Sequence, residues 1–210
     1  MIALIDYKAG NLTSVRKALT FLGADFVVPE TTAACAGARG LIVPGVGHFN
    51  ATRALDEQWR ATITGAVASG TPLLGICVGM QWLFEGSEEA PDVPGIGFME
   101  GRIARLAGDA EARLKVPHVG WNALDIPPSP KASARQARIL SGLSSGTQVY
   151  FTHSYAAPVT DTCAASTTHA NVFSSVVERD NVFGVQFHPE KSGDAGLQIL
   201  RNFLAVCGLA

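Results

Sequence analysis

The sequence predicts an α/β fold: an open, mostly parallel sheet flanked by helices, with added β structure in its second half. Three observations predict it. Over residues 1–85, short apolar runs of strand length alternate with amphipathic segments of helix length, the pattern of βαβ units. Hydrophobic residues make up 47% of the 210 residues and charged residues only 16%, enough material for a sizeable core and too apolar for general disorder. Beyond residue 100, helical periodicity gives way to strand-like pieces separated by loops.

Taken in order, Ile2-Ala3-Leu4-Ile5 is a buried-strand run. Asn11 is placed to cap a helix carrying Val15, Ala18, Leu19 and Leu22, with Gly23 as its stop. Asp25 to Val28 and Leu41 to Val43 read as the second and third strands. A helix is expected from about Thr52 to Ser69, broken near Gly65 and closed at Gly70. Pro72 to Ile76 is a fourth strand, followed by a helix from about Gly79 to Glu85. Residues 86–97 and 125–137, the latter with Pro127-Pro128-Ser129-Pro130, read as loops. Strand-like pieces fall at Arg102–Leu106, Val116–Trp121, Val149–Thr152 and Cys163–Thr167. The runs from Phe173 and from Val182, separated by Glu178-Arg179-Asp180-Asn181, form a hairpin pattern. Leu197, Leu200, Phe203 and Leu204 mark a last amphipathic helix. No repeat or linker divides the chain, so a single domain over 1–210 is expected.

Charge narrows the function. With 16 Lys+Arg against 18 Asp+Glu, the net charge of −2 excludes a nucleic-acid clamp or a polybasic membrane binder. No apolar run reaches the ~18 residues that cross a bilayer, and the start, Met1 to Asp6, has no basic region of a signal peptide. A cytoplasmic protein is expected. The four cysteines, Cys35, Cys77, Cys163 and Cys207, form no C-x-x-C pair, and no H-x-x-x-H pair exists, so neither a disulfide framework nor a metal site is expected. Cys35, Cys163 and Cys207 read as small apolar residues of the interior.

Cys77 is different. Leu74-Gly75-Ile76-Cys77-Val78-Gly79-Met80 has the form G-x-C-x-G between an apolar strand and an amphipathic helix. The related G-x-S-x-G elbow holds its nucleophile on a strained turn, with glycines letting the backbone crowd together. A cysteine there stands at a helix N-terminus, which favours thiolate. The Val78 N–H would face the oxygen of an attacked carbonyl. The alternative is a buried structural cysteine in a chain with 22 glycines. A thiolate needs a base, and the base an orienter. Phe187-His188-Pro189-Glu190-Lys191 follows a strand, and residues two apart in extended chain share a face. His188 and Glu190 would thus complete a Cys–His–Glu triad, although H-P-E by itself also fits a solvated turn. Val43-Pro44-Gly45-Val46-Gly47 suits a backbone that presents N–H groups, the other half of an oxyanion hole, or equally a plain strand-to-helix turn.

PGVG, GICVGMQ and HPEK, in this order and spacing, resemble the class I, triad-type glutamine amidotransferases. Within that group, IDYKAGNLTSVRKAL, PGVGHF, LLGICVGMQWLFEGSEE, KVPHVGWN, VYFTHSY and DNVFGVQFHPEKSG are similar to the glutaminase subunits of imidazole glycerol phosphate synthases, over residues 2 to about 203. The resemblance implies a flavodoxin-like amidotransferase fold, with Cys77 as nucleophile, His188 as acid/base and Glu190 as its orienter. It places Val46, Gly47 and Val78 at the oxyanion hole. It assigns Gln81, Glu89, Tyr150, Ser154 and Tyr155 to the amino-acid part of glutamine, and Trp121, Asn122 and Lys191 to the side facing a partner. It also implies glutamine as substrate and a (β/α)₈-barrel cyclase subunit as heterodimer partner, with no cofactor. Two positions depart from the family: glycine is common where Lys8 stands, and a small residue where His48 stands.

The expected reaction is glutamine plus water to glutamate plus ammonia through a γ-glutamyl thioester. The chain offers no Walker-A loop and no G-x-G-x-x-G for an acceptor substrate, so the ammonia is expected to pass to the partner. The rival readings are a glutaminase serving another synthase, a stand-alone cysteine γ-glutamyl hydrolase, and a non-catalytic binding protein. The last would normally lack one of the three triad residues.

Overall fold

The computed structural model describes residues 1–9, 12–109, 111, 114–127 and 137–209. Asn11 and the stretch 128–136 of the proline-containing loop lie outside the described residues.

The first half winds as the apolar pattern predicts. β1 (Ile2–Leu4) leads to α1 (Leu12–Phe21), then β2 (Phe26–Val27) and β3 (Gly40–Gly45). α2 (Glu57–Ala68) precedes β4 (Leu73–Cys77), which runs directly into α3 (Val78–Trp82). β1, β3 and β4 are buried along their whole length, as strands of a sheet covered on both faces must be. Ile2 and Leu4 point to the layer holding Val15 and Leu19 of α1, whereas Ala3 and Ile5 point to the layer holding Ile63 of α2. This is the two-residue alternation of a strand dividing one core into two.

The expected helix over 52–69 is shorter and unbroken. A 3₁₀ turn occupies Phe49–Ala54, and α2 begins only after Asp56, whose carboxylate accepts the Trp59 N–H at 3.0 Å. The helix runs through Gly65 because a glycine with open space around it costs a helix interior only about 1 kcal/mol. Gly70, at φ 91°, ends it. The segment 86–97 is not a plain loop either. It holds β5 (Gly86–Ser87) and β6 (Ala90–Pro94), and β5 pairs with both β6 and β7 (Arg102–Arg105) in a small sheet.

The later strands are β8 (His118–Ala123), β9 (Gln148–His153), β10 (Tyr155–Ala156), β11 (Cys163–His169), β12 (Asn171–Arg179) and β13 (Val182–Val185), before α4 (Gly193–Val206). The main sheet has the order β11-β12-β13-β4-β3-β1-β2. Its strands β2, β1, β3, β4 and β13 are parallel, and β12 and β11 extend it antiparallel. β10-β7-β5-β6 form a second sheet and β8-β9 an antiparallel ribbon. Strand order reverses between β1 and β3, and such reversals open a crevice at the carboxyl ends of the strands. Cys77, Gly45 and the turn after β13 all lie at that edge.

Candidate active site

Cys77 ends β4 level with Gly45 of β3 and has a φ of 52° and ψ of −110°, a conformation that strains any side chain. The glycines around it are there for space. A Cβ on Gly79 would lie 1.8 Å from the Val43 carbonyl oxygen, and one on Gly75 would lie 2.6 Å from that of Gly79. The turn from strand to helix is therefore tight enough that only glycine fits at positions 75 and 79. Val78, as the first residue of α3, has no intrahelical acceptor for its N–H.

β13 pairs parallel with β4, Val185 beside Ile76, so the chain just past β13 arrives next to Cys77. His188 and Glu190 lie there, their side chains 1% and 2% exposed. His188 Nδ1 donates to Glu190 Oε1 at 2.8 Å, which leaves Nε2 buried beside Cys77 and, among the described residues, without a completed hydrogen bond. Burial works against the imidazolium. The contacts with Cys77 and Glu190 outweigh it and push the His188 pKa up to about 10. The three side chains have the arrangement that a nucleophile, base and orienter require.

A cavity of about 210 Å³ opens over the sulfur, bounded by Gly47, Cys77, Val78, Gln81, Glu89, Pro117, Thr152, His153, Ser154 and Tyr155. Its size suits a small polar metabolite more than a drug-sized ligand. Glu89 is anchored there by accepting the Phe49 N–H at 2.7 Å. Gly47 reaches the cavity, but the neighbouring Val46 N–H donates to the Ala9 carbonyl at 3.2 Å. Tyr150 does not line the cavity. It shares a face of β9 with Thr152, a pair spacing of roughly 7 Å farther along the strand. Its ring instead meets Trp121 edge-on at 6.0 Å, with the Lys191 ammonium 5.9 Å from its centre. Asn122 also turns away from Trp121. Strand alternation puts it on the inner face of β8, where its amide donates to the Thr168 carbonyl at 3.0 Å. Trp121 and Val119, each 57% exposed, occupy the outer face.

Three residues near the sulfur escaped the sequence reading. Tyr7, just past β1, has a buried hydroxyl without a hydrogen-bond partner among the described residues. Burial and then the nearby Cys77 push its pKa up. Gly45 is a glycine because a Cβ there would lie 1.9 Å from that hydroxyl. Gln186, wholly buried, donates to Cys77 Sγ at 3.6 Å. Its position two residues before His188 is the spacing that singled out Glu190. His153 bounds the cavity and belongs to a buried histidine cluster, with His118 Nδ1 and His153 Nε2 3.0 Å apart and the His118 and His169 rings stacked at 4.1 Å.

The departures at Lys8 and His48 are also explained locally. Lys8 has a φ of 63°, where glycine is unstrained, and is held by Asp6 at 3.1 Å. His48 caps the 3₁₀ turn, accepting the Asn50 N–H at 3.1 Å.

The family model "Glutamine amidotransferase class-I" matches residues 3–207. Curated relatives include the imidazole glycerol phosphate synthase subunit HisH of Thermococcus kodakarensis, 42% identical over 209 residues, covering 97% of this chain and 98% of the relative. The protein of the same name in Geobacillus thermodenitrificans is 45% identical over 213 residues, covering 98% and 96%. Among solved structures, one described as a crystal structure of glutamine amidotransferase superposes with a TM-score of 0.72 at 21% identity. It covers 99% of this chain and 98% of its own, a likeness of fold. The strained cysteine elbow, the buried histidine–glutamate pair and the match over residues 3–207 place this chain in the class-I glutamine amidotransferase family.

Proposed function

We propose that this chain is the glutamine-hydrolysing subunit of an imidazole glycerol phosphate synthase, working as one amidotransferase domain over residues 1–210. Membership of the family and the relatives' shared name over nearly the whole chain support the reading. The observation that carries the chemistry is Cys77, strained at a strand-to-helix elbow, beside the buried His188–Glu190 pair.

The Cys77 sulfur attacks the side-chain amide carbon of glutamine, and the oxygen gathers charge toward the Val78 N–H. His188 gives its proton to the departing nitrogen, releasing ammonia and leaving a γ-glutamyl thioester. Water then attacks the thioester carbon, losing its proton to His188, and the C–S bond breaks to give glutamate and free enzyme. Glu190 holds the ring in the tautomer that keeps Nε2 toward this chemistry. Gln81, Glu89, Ser154 and Tyr155 surround the space left for the amino-acid end of the substrate.

The ammonia goes to a (β/α)₈-barrel cyclase subunit, which uses it to make imidazole glycerol phosphate and aminoimidazole carboxamide ribotide. The outer face of the β8–β9 ribbon, with Trp121 and neighbouring Lys191, is the docking side in this reading. A cytoplasmic location fits as well: among the described residues no helix is long and apolar enough to cross a membrane. Because the Val46 N–H is held by Ala9, hydrolysis in the isolated subunit is expected to be slow.

Mixing the protein with a cyclase subunit tests the assignment. Glutamate release should rise when the cyclase is present and rise further with the cyclase's nucleotide substrate. Equal rates with and without the cyclase would refute the partnership. Undiminished release by Cys77→Ala would refute the chemistry.

A further inference from the structure

One backbone carbonyl fixes the direction of a chain of hydrogen bonds that ends at Cys77 Sγ. The Tyr155 C=O only accepts. Gln81 approaches it at 2.9 Å, so the end of the Gln81 amide that points there is its NH₂. The same NH₂ lies 3.1 Å from the Gln186 amide, and the atom it meets there must be the oxygen. The Gln186 NH₂ is then the end left for Cys77 Sγ, 3.6 Å away. Both amide orientations are fixed by bonding. The same carbonyl also accepts from His153 Nδ1 at 2.9 Å, so its position is held from two sides.

We propose that Gln186 is a further catalytic residue, a fixed N–H donor to the Cys77 sulfur, with Gln81 as the positioning residue that aims it. The proposal rests on Cys77 being the nucleophile. A hydrogen bond to the charged form of a group favours that form, and the low dielectric of a wholly buried site strengthens it. The sulfur carries negative charge twice per turnover: before attack, and again as the thioester C–S bond breaks. Gln186 stands beside it at both moments and exchanges no proton. His188 holds the mobile proton, and Gln186 supplies the donor that does not move.

The ionisable groups around the sulfur are His188, Tyr7 and, around the cavity, His153 and Glu89. None of them changes in the variants that isolate the amide. Gln186→Met keeps the length of the side chain and removes the N–H; Gln186→Glu keeps the shape and turns a carboxylate toward the sulfur. The readout is alkylation of Cys77 by iodoacetamide in the full-length protein, followed by mass spectrometry across a pH series with thermal unfolding alongside. We expect Gln186→Met to slow alkylation at neutral pH about tenfold, the scale of a hydrogen bond to a charged group. Gln186→Glu should slow it further, and both should move the pH profile to higher pH. Gln81→Met, which removes the aiming donor from the cavity wall, should move it the same way by less, and it carries the test if the Gln186 variants do not fold. A merely structural Gln186 would lower the unfolding temperature and leave the profile in place, which overturns the proposal. If Cys77 of the unsubstituted protein reacts no faster than the half-buried Cys163, the nucleophile reading fails too. A fast Cys77 that no variant slows removes Gln186 alone.

Discussion

At the scale of single residues, Cys77, the proposed nucleophile, is strained. A non-glycine residue at φ 52° and ψ −110° costs on the order of 1–3 kcal/mol, which the surrounding packing must hold. This inverts the usual ranking of small residues. Cys77→Gly should be more stable than Cys77→Ala by about 1 kcal/mol or more, although glycine is normally the worse choice in ordered backbone. Thermal unfolding of the two variants checks it, and an alanine variant at least as stable as the glycine one would show the turn to be relaxed. Cys77, His188 and Glu190 were legible in the sequence because glycine spacing and two-residue alternation are local rules. Tyr7 was not, because it lies just past β1, which only the sheet order places near Cys77; Gln186 shares the two-residue spacing of His188 and Glu190, but only that order shows that its amide meets the sulfur.

Among the elements, the β8–β9 ribbon has two unlike faces. Its inner face carries His118 and His153, whose rings pack with Phe151 and Phe173. Burial first, and then the charge of neighbouring histidines, pushes the pKa of His118 down to about 3 and that of His153 to about 4, the Tyr155 carbonyl opposing only part of the shift in His153. An unfolded chain takes up these protons near pH 6.5, and the folded one resists until about 3–4. Between those values the unfolded state binds more protons, so stability is fully present above about 6.5 and drains away as the pH falls. His188 works in the opposite sense: its contribution is present below about 6.5 and fades as the pH rises toward about 10. The unfolding temperature should therefore drop from neutral pH toward about pH 5, and His118→Phe, which keeps a ring against Phe151, should flatten that acid limb. An unchanged slope in the variant would move the effect elsewhere. The sequence offered no sign of this cluster, because His118, His153 and His169 come together only through the pairing of β8 with β9 and their packing on β11. The short strands β5 and β6 were hidden for a related reason: a Gly- and Pro-rich stretch gains strand form from a neighbour to pair with.

For the molecule as a whole, the two ends of the main sheet do different work. The active-site edge carries Trp121 and Val119 exposed on the ribbon, and a large exposed aromatic residue is the commonest anchor of a protein interface. Trp121→Ala should weaken association with the cyclase by about 30-fold, the scale of a 2 kcal/mol anchor. Phe21→Ala, which removes an even more exposed ring at the far end of α1, should leave it unchanged. Titration of the partner with each variant checks both, and equal losses would place the interface elsewhere. The sequence by itself determined the alternation of strands and helices, the elbow, the His–Glu pair and the family, because each is written in spacings of a few residues. Only the tertiary structure decided which faces of the ribbon Tyr150 and Asn122 occupy, that the Val46 N–H bonds to Ala9, and that Gln186 meets the sulfur. Those outcomes depend on strand order and register, which bring together residues as distant in sequence as Cys77 and Gln186, 109 positions apart.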